Sequence, residues 1–136
     1  MTTQINTYIN FNGRCKEAMQ FYQQCLGGEL NLQKLSESPM AAQLSSQKGA
    51  EILHGTLISN AIIIMASDMS SSHFQQGNNV NLCLQCATGE ELDMFFRSLS
   101  QNGNVKTPLH QTFWGATYGE LTDRFGINWI LNYSKG

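Results

Sequence analysis

The chain opens on Ile5-Asn-Thr-Tyr-Ile-Asn-Phe11, an alternation of apolar and polar residues with the period of a strand that buries one face. Asn12-Gly13 ends it, and Ala18, Phe21, Tyr22, Cys25 and Leu26 then recur at helical spacing. Gly27-Gly28 predicts the helix stop, because glycine adopts positive φ without steric cost. Glu29 to Leu35 reads as a strand, and residues 36–50, rich in Ser and Gln with Pro39, as a loop with room for a short helical turn. Ile52 to Ile58 and Ala61 to Ser67 read as two strands joined by a tight turn at Ser59-Asn60.

The second half follows the same plan. Val80-Asn-Leu-Cys-Leu-Gln85 alternates, and Thr88-Gly-Glu-Glu91 has the form of a capping box, with Thr88 as N-cap and Glu91 as its partner. Leu92, Phe95, Phe96 and Leu99 form the apolar stripe of a helix that Asn102-Gly103 closes, and strands are expected at Val105–Leu109, Ala116–Asp123 and Ile127–Tyr133. Glu17–Cys25 and Glu91–Leu99 share an apolar pattern, and the aromatic pairs Phe21-Tyr22 and Phe95-Phe96 fall at the same place in it. A strand, a helix, a Gly stop and three strands, met twice in order, predict a duplicated βαβββ module. The fold class is therefore α+β: two such modules in tandem (about 1–68 and 78–136 of one 136-residue domain), with curved, mostly antiparallel sheets around a concave pocket.

Strand phase predicts what lines that pocket. Ile5, Ile9 and Phe11 are expected toward the first helix and Asn6, Tyr8 and Asn10 away from it. Val80, Leu82 and Leu84 are expected inward and Asn79, Asn81 and Cys83 outward; in the last strand Asn128, Ile130 and Asn132 take the face opposite Ile127, Trp129, Leu131 and Tyr133. A solvated sheet face would show the same alternation. Carboxamides beside a Tyr and an Ile on one concavity favour a small-molecule pocket.

Composition narrows the partners. The longest apolar run, Ala61 to Ala66, is far short of the roughly 18 residues that cross a bilayer, so no membrane span is expected. Net charge is −2, and no Lys/Arg cluster stands ready for a phosphate backbone, which argues against nucleic acid. Charged residues make up 13%, and Asn, Gln and Ser, twelve of each, replace them. Such a polar, weakly charged surface suits self-association, and a homodimer is expected. Met1-Thr-Thr-Gln4 has neither the basic start nor the apolar core of an export signal; Cys15, Cys25, Cys83 and Cys86 are therefore expected as reduced thiols in a cytoplasmic protein.

The duplicated plan resembles the vicinal oxygen chelate superfamily, which includes glyoxalase I, bleomycin-resistance proteins and extradiol dioxygenases. Tyr8-Ile-Asn-Phe-Asn-Gly13, Ala18-Met-Gln-Phe-Tyr22, Leu26-Gly-Gly28, Glu37-Ser-Pro-Met40, Met65-Ala-Ser-Asp68, Thr112-Phe-Trp-Gly115 and above all Leu121-Thr-Asp-Arg-Phe-Gly-Ile-Asn-Trp129 are similar to its PhnB-like branch. Members of that branch carry a label linking them to demethylubiquinone methyltransferases, but no Gly-rich nucleotide loop lies between a strand and a helix here. The resemblance implies a metal site with a His near the start of the first and fifth strands and carboxylates on the fourth and eighth. The matching positions are Asn6 and Asn79, then Ile64 or Met65, and Ile130. A carboxamide is a weak neutral ligand and an Ile none, so no metal and no other cofactor is expected.

Other candidates carry less. Cys83-x-x-Cys86 resembles half a zinc or redox motif, but an i, i+3 pair on a strand points to opposite faces, which favours core or pocket thiols. His54 reads as a hydrogen-bonded sheet residue rather than a base, and His73 as a solvated loop residue; His54, His73 and His110 lack metal-ligand spacing. Asp68 and Glu37 would serve as acids or bases only on converging at the pocket, and otherwise are surface or turn carboxylates. Phe113-Trp114 fits a pocket wall or lid, a core patch or a dimer contact equally well. The expected pocket residues are therefore Asn6, Tyr8, Asn10, Asn79, Asn81, Cys83, Trp114, Asn128 and Ile130, holding an unknown small molecule. A lyase, isomerase or dioxygenase-like enzyme, with or without metal, is the alternative, and a non-catalytic interaction domain the third.

Overall fold

A computed structural model describes residues 2–37, 51–68 and 74–135. The chain splits into two compact units, Met1–Gln75 and Gln76–Gly136. The first runs β1 (Thr7–Asn10), α1 (Cys15–Leu26), β2 (Glu29–Lys34), a short 3-10 turn (Leu35–Glu37), β3 (Ile52–Ser59) and β4 (Ile62–Ser67). The second runs β5 (Asn81–Gln85), α2 (Gly89–Leu99), β6 (Asn104–Gln111), β7 (Ala116–Thr122) and β8 (Asn128–Ser134). Each unit is a four-stranded sheet, in the orders β1-β4-β3-β2 and β5-β8-β7-β6. In both, the first strand lies parallel to the last and the other neighbours are antiparallel. The chain is thus an α+β protein of two βαβββ modules, as its periodicity predicts. Most of the 36–50 loop expectation, and Pro39 with it, lies outside the described residues.

Each helix covers one face of its own sheet. α1 buries Ala18, Met19, Phe21, Tyr22, Cys25 and Leu26, and the strands below it bury Ile52, Leu57, Ile64 and Ala66. α2 buries Leu92, Phe95, Phe96 and Leu99 over Leu121, Trp129 and Leu131. Gly119 lets α2 approach: a Cβ there would sit 2.7 Å from the Phe96 ring and 2.8 Å from Leu109. Gly28, at φ 94°, passes so close to the Ile58 carbonyl that no side chain fits.

Two inward assignments fail. Ile5 is 98% and Val80 70% exposed, because β1 begins only at Thr7 and β5 at Asn81, leaving both residues ahead of any paired strand. The β3–β4 turn also falls one residue later than expected, with Asn60 at φ 55° and β4 starting at Ile62.

The helix starts are capped by different means. At α2, Thr88 Oγ1 accepts from the Glu91 N–H at 3.1 Å, as the capping box requires, while the Glu91 carboxylate reaches the N–H of Ala87 at 3.1 Å. α1 has no side-chain cap of its own: Arg14 holds that position, and its side chain makes no capping hydrogen bond. The role passes to Asp68, just past β4, whose Oδ1 accepts from the N–H groups of Gly13 and Cys15, both at 2.8 Å. Its Oδ2 accepts from Ile52 N–H at 2.9 Å, at the start of β3. Asp68 is only 3% exposed, so it is neither a surface carboxylate nor a free acid or base; it ties three segments together and places negative charge at a helix N-terminus. Asp123 does similar work after β7, accepting from Phe125 N–H, Ile127 N–H and the Trp129 indole N–H at 2.8, 3.1 and 2.8 Å.

Asp68→Ala would orphan the buried N–H groups of Cys15 and Ile52 and the part-buried one of Gly13. We expect it to cost about 3 kcal/mol or more in urea unfolding, with Asp68→Asn recovering part of the loss. A loss below about 1 kcal/mol would show that water replaces the carboxylate.

Candidate functional site

The faces turned away from the helices are where the sheets present polar chemistry. In the first unit Tyr8 pairs with Met65, and Met65 with Thr56, so these share the open face, while Ile64 packs on the helix side at 2% exposure. His54 follows on that face: its Nε2 lies 3.2 Å from Thr56 Oγ1 and its ring 6.1 Å from the Tyr8 ring. That is the hydrogen-bonded sheet histidine the sequence favours. Tyr8 is exposed; Asn10 accepts from the Asn12 N–H at 2.9 Å as part of the turn. Asn6 precedes β1, and its Oδ1 accepts from Gln4 at 2.7 Å.

The second unit carries a denser network. Three rows cross its open face: Asn81–Asn128–Thr122, Cys83–Ile130–Glu120–Thr107 and Gln85–Asn132–Tyr118–His110. Glu120 Oε2 accepts from the Tyr118 hydroxyl at 2.6 Å and Oε1 from Thr107 Oγ1 at 3.0 Å. Asn128 Oδ1 accepts from Thr122 at 2.7 Å and from Lys106 Nζ at 3.4 Å, and Asn132 donates to Gln85 at 2.8 Å. The hydroxyls of Tyr118 and then Thr107 hold the Glu120 carboxyl below the usual carboxylate range, aided by Lys106 and His110 and opposed by partial burial. The same bond, with burial and charge adding to it, pushes the Tyr118 phenol up to about 12.

Of the expected pocket residues, Asn81, Cys83, Asn128 and Ile130 share this face, and Tyr8 and Asn10 belong to the open face of the first unit. Asn79 sits in a bend ahead of β5, not on a strand. Trp114 (61% exposed) and Phe113 (98%) stand at the β6–β7 turn, packed edge to face at 4.9 Å, which removes the core reading for the pair. Glu120, Tyr118, Thr107 and His110 are absent from the sequence-derived set. Their signal was present in Thr117-Tyr-Gly-Glu-Leu-Thr122, whose alternation puts Tyr118, Glu120 and Thr122 on one face.

The register also shows which positions of the two modules are equivalent. Tyr8 with Met65 is equivalent to Cys83 with Ile130, since Phe11 N–H to Ser67 and Cys86 N–H to Asn132 occupy the same place in the two modules. Met65, rather than Ile64, is therefore the counterpart of Ile130, and Asn6 corresponds to Asn81 rather than Asn79. Carboxamides, a thioether and an aliphatic side chain do not fit a site for a divalent cation that polarises oxygen. Within either unit, no three His, Cys, Asp or Glu side chains among the described residues gather to hold one.

The remaining candidates are structural or outside view. Cys83 is exposed on the open face, while Cys86 is buried with its Sγ 3.9 Å from the Leu84 carbonyl, so the pair faces opposite ways. Burial, then Glu91 and Cys83, raises the Cys86 thiol to about 11; burial and Asp68 raise Cys15 to about 12, which makes both inert. Cys25 is also buried and outside any disulfide. Glu37 accepts the Lys34 N–H at 2.8 Å and serves a turn. His110 Nδ1 lies 2.9 Å from the Pro108 carbonyl, and His73 is outside the described residues.

A family model described as 3-demethylubiquinone-9 3-methyltransferase matches residues 3–132. The fold is that of glyoxalase/bleomycin resistance/dioxygenase proteins, and the chain belongs to the PhnB-like family of the vicinal oxygen chelate superfamily. Among its relatives, Protein YjdN of Escherichia coli (strain K12) is 32% identical, over 96% of this chain and 95% of that one. The crystal structure of protein PA1353 from Pseudomonas aeruginosa is 33% identical with a TM-score of 0.86, covering 99% of this chain and all of that one. A putative 3-demethylubiquinone-9 3-methyltransferase, PhnB protein, from Bacillus cereus shares the fold at 24% identity and a TM-score of 0.76, over 97% of this chain and 100% of its own.

The Glu120–Tyr118 bond has a titration signature. Tyr118 is raised above its ordinary value, so its contribution to stability is present below about pH 10 and fades as pH rises toward 12. Glu120 is lowered, so its contribution is present above the ordinary carboxylate range and fades as acid protonates it. Ultraviolet phenolate titration should show one tyrosine ionising near 12, moving toward 10 in Glu120→Gln. An unchanged curve in the variant would mean that the bond does not form in solution.

Proposed function

We propose that this PhnB-like protein binds a small molecule on the open faces of its sheets, without a metal ion. The observation that supports this most is the chemistry of those faces. Positions that hold imidazole and carboxylate in the superfamily's metal enzymes carry Asn6 and Met65 in one unit and Asn81 and Ile130 in the other, where a fixed polar network, Tyr118–Glu120–Thr107, lies next to Ile130. On either face, amide, hydroxyl or carboxylate groups orient a ligand, with apolar contact from Tyr8 and Met65 in the first unit or from Ile130 in the second. The methyl transfer named in the family description is not part of this reading. Assembly as a homodimer and a cytoplasmic setting belong to the same proposal, supported by the weakly charged surface and the thiol-bearing, disulfide-free chain.

Two measurements on natively purified protein test it. Elemental analysis should find no stoichiometric Zn, Ni, Mn or Fe; one such ion per chain would favour the lyase, isomerase or dioxygenase-like alternative. A thermal-shift screen of metabolites and drug-like compounds should return binders, each adding about 2.7 kcal/mol of stability at a hundredfold excess over Kd. A screen with no binder would favour the interaction domain.

A further inference from the structure

Glu120 is the one carboxylate on the open face of β5-β8-β7-β6 among the described residues. Each carboxylate oxygen has two acceptor positions, and the Tyr118 and Thr107 hydroxyls take one on each, leaving one on each for a ligand. The surroundings are asymmetric. Toward β6 stand Lys106, with Nζ 3.4 Å from Asn128 Oδ1, and His110, whose ring lies 6.0 Å from that of Tyr118. Toward β8 and β5 the row continues with Ile130 and Cys83, flanked by Asn132 on one side and on the other by Asn128, to which the Lys106 ammonium reaches across the sheet. A strip of Ile130 and Cys83 therefore runs from the carboxylate to the edge of the sheet, with the Lys106 ammonium held to Asn128 on one flank.

We propose that Glu120 anchors a protonated amine whose apolar body lies over Ile130 and Cys83. This rests on the reading that the open face takes a small molecule, and it names the class. A fixed, partly desolvated carboxylate recognises N–H donors through charge-assisted hydrogen bonds, repels anions, and is left unpaired by a neutral hydrocarbon. Because the hydroxyls stabilise its ionised form, Glu120 is a poor proton acceptor, and its role is recognition rather than proton abstraction. Tyr118 is a positioning residue that holds the carboxylate and keeps it charged.

The test compares benzylamine with benzyl alcohol, equal in shape and differing in charge, by NMR titration of the full chain at neutral pH. We expect benzylamine to bind at least about tenfold more tightly, with shifts centred on Ile130, Cys83 and Tyr118. Glu120→Gln, which keeps the shape and an acceptor, should abolish that preference. Tyr118→Phe should keep it at neutral pH but lose it at a higher pH than the parent on acidification, an effect that a merely structural role would not produce. Alcohol binding at this strip as tightly as the amine would overturn the amine assignment and leave the open-face reading standing. A preference that survives Glu120→Gln, or shifts centred elsewhere, would overturn the assignment as well. If neither probe shifts the strip, both readings fall.

Discussion

In each module the strand that enters first lies parallel to the strand that leaves last, and this pairing decides what every other side chain faces. Tyr8 opposite Met65 and Cys83 opposite Ile130 set the phase of the two sheets. A slip of one residue would turn Leu57, Ile64 and Leu131 to the open side and bring Glu120 and Asn128 under a helix. Burying an ionised carboxylate there without partners costs several kcal/mol, and exposing the aliphatic residues forfeits roughly 1.5–3 kcal/mol each. The register is therefore held by opposition between the faces, not by turn sequence alone.

The two modules secure that register differently. Asp68 binds the start of α1 and the start of β3 to the end of β4, so the parallel pair β1–β4 cannot part without breaking its two hydrogen bonds to Gly13 and Cys15. The equivalent place in the second module is Tyr133, and there the fixing carboxylate is Asp123, which closes the turn into β8 and grips the Trp129 indole. Duplication kept the topology while the polar ties were replaced.

The duplicated fold was legible because it rests on period. Alternation gives strands, the stripes of Phe21-Tyr22 and Phe95-Phe96 give helices, and glycines mark the stops. The ends of elements were less legible. Ile5 and Val80 continue the alternation in sequence but lie beyond the last paired residue, and period alone carries no information about pairing. For the same reason sequence spacing pairs Asn6 with Asn79, whereas the ladder pairs it with Asn81. The role of Asp68 is not legible from sequence, because its donors lie 53 and 55 residues away in Cys15 and Gly13. Glu120 was overlooked although its strand was foreseen; its importance comes from hydroxyls two residues along and one strand across, contacts that only the register reveals.

Membership of a superfamily that includes metal enzymes does not carry a metal reaction with it, because function resides in side chains grafted on the fold. Here the open faces offer amides, hydroxyls, aromatic rings and one fixed carboxylate. The most direct measurement is residue-resolved chemical-shift mapping with the tightest compound from an unbiased screen. The account predicts perturbations on an open face, at Tyr8 and Met65 in the first unit or at Cys83, Ile130 and Glu120 in the second, and none at their helix-facing neighbours. Perturbations confined to the helices or to the Phe113-Trp114 turn would contradict it.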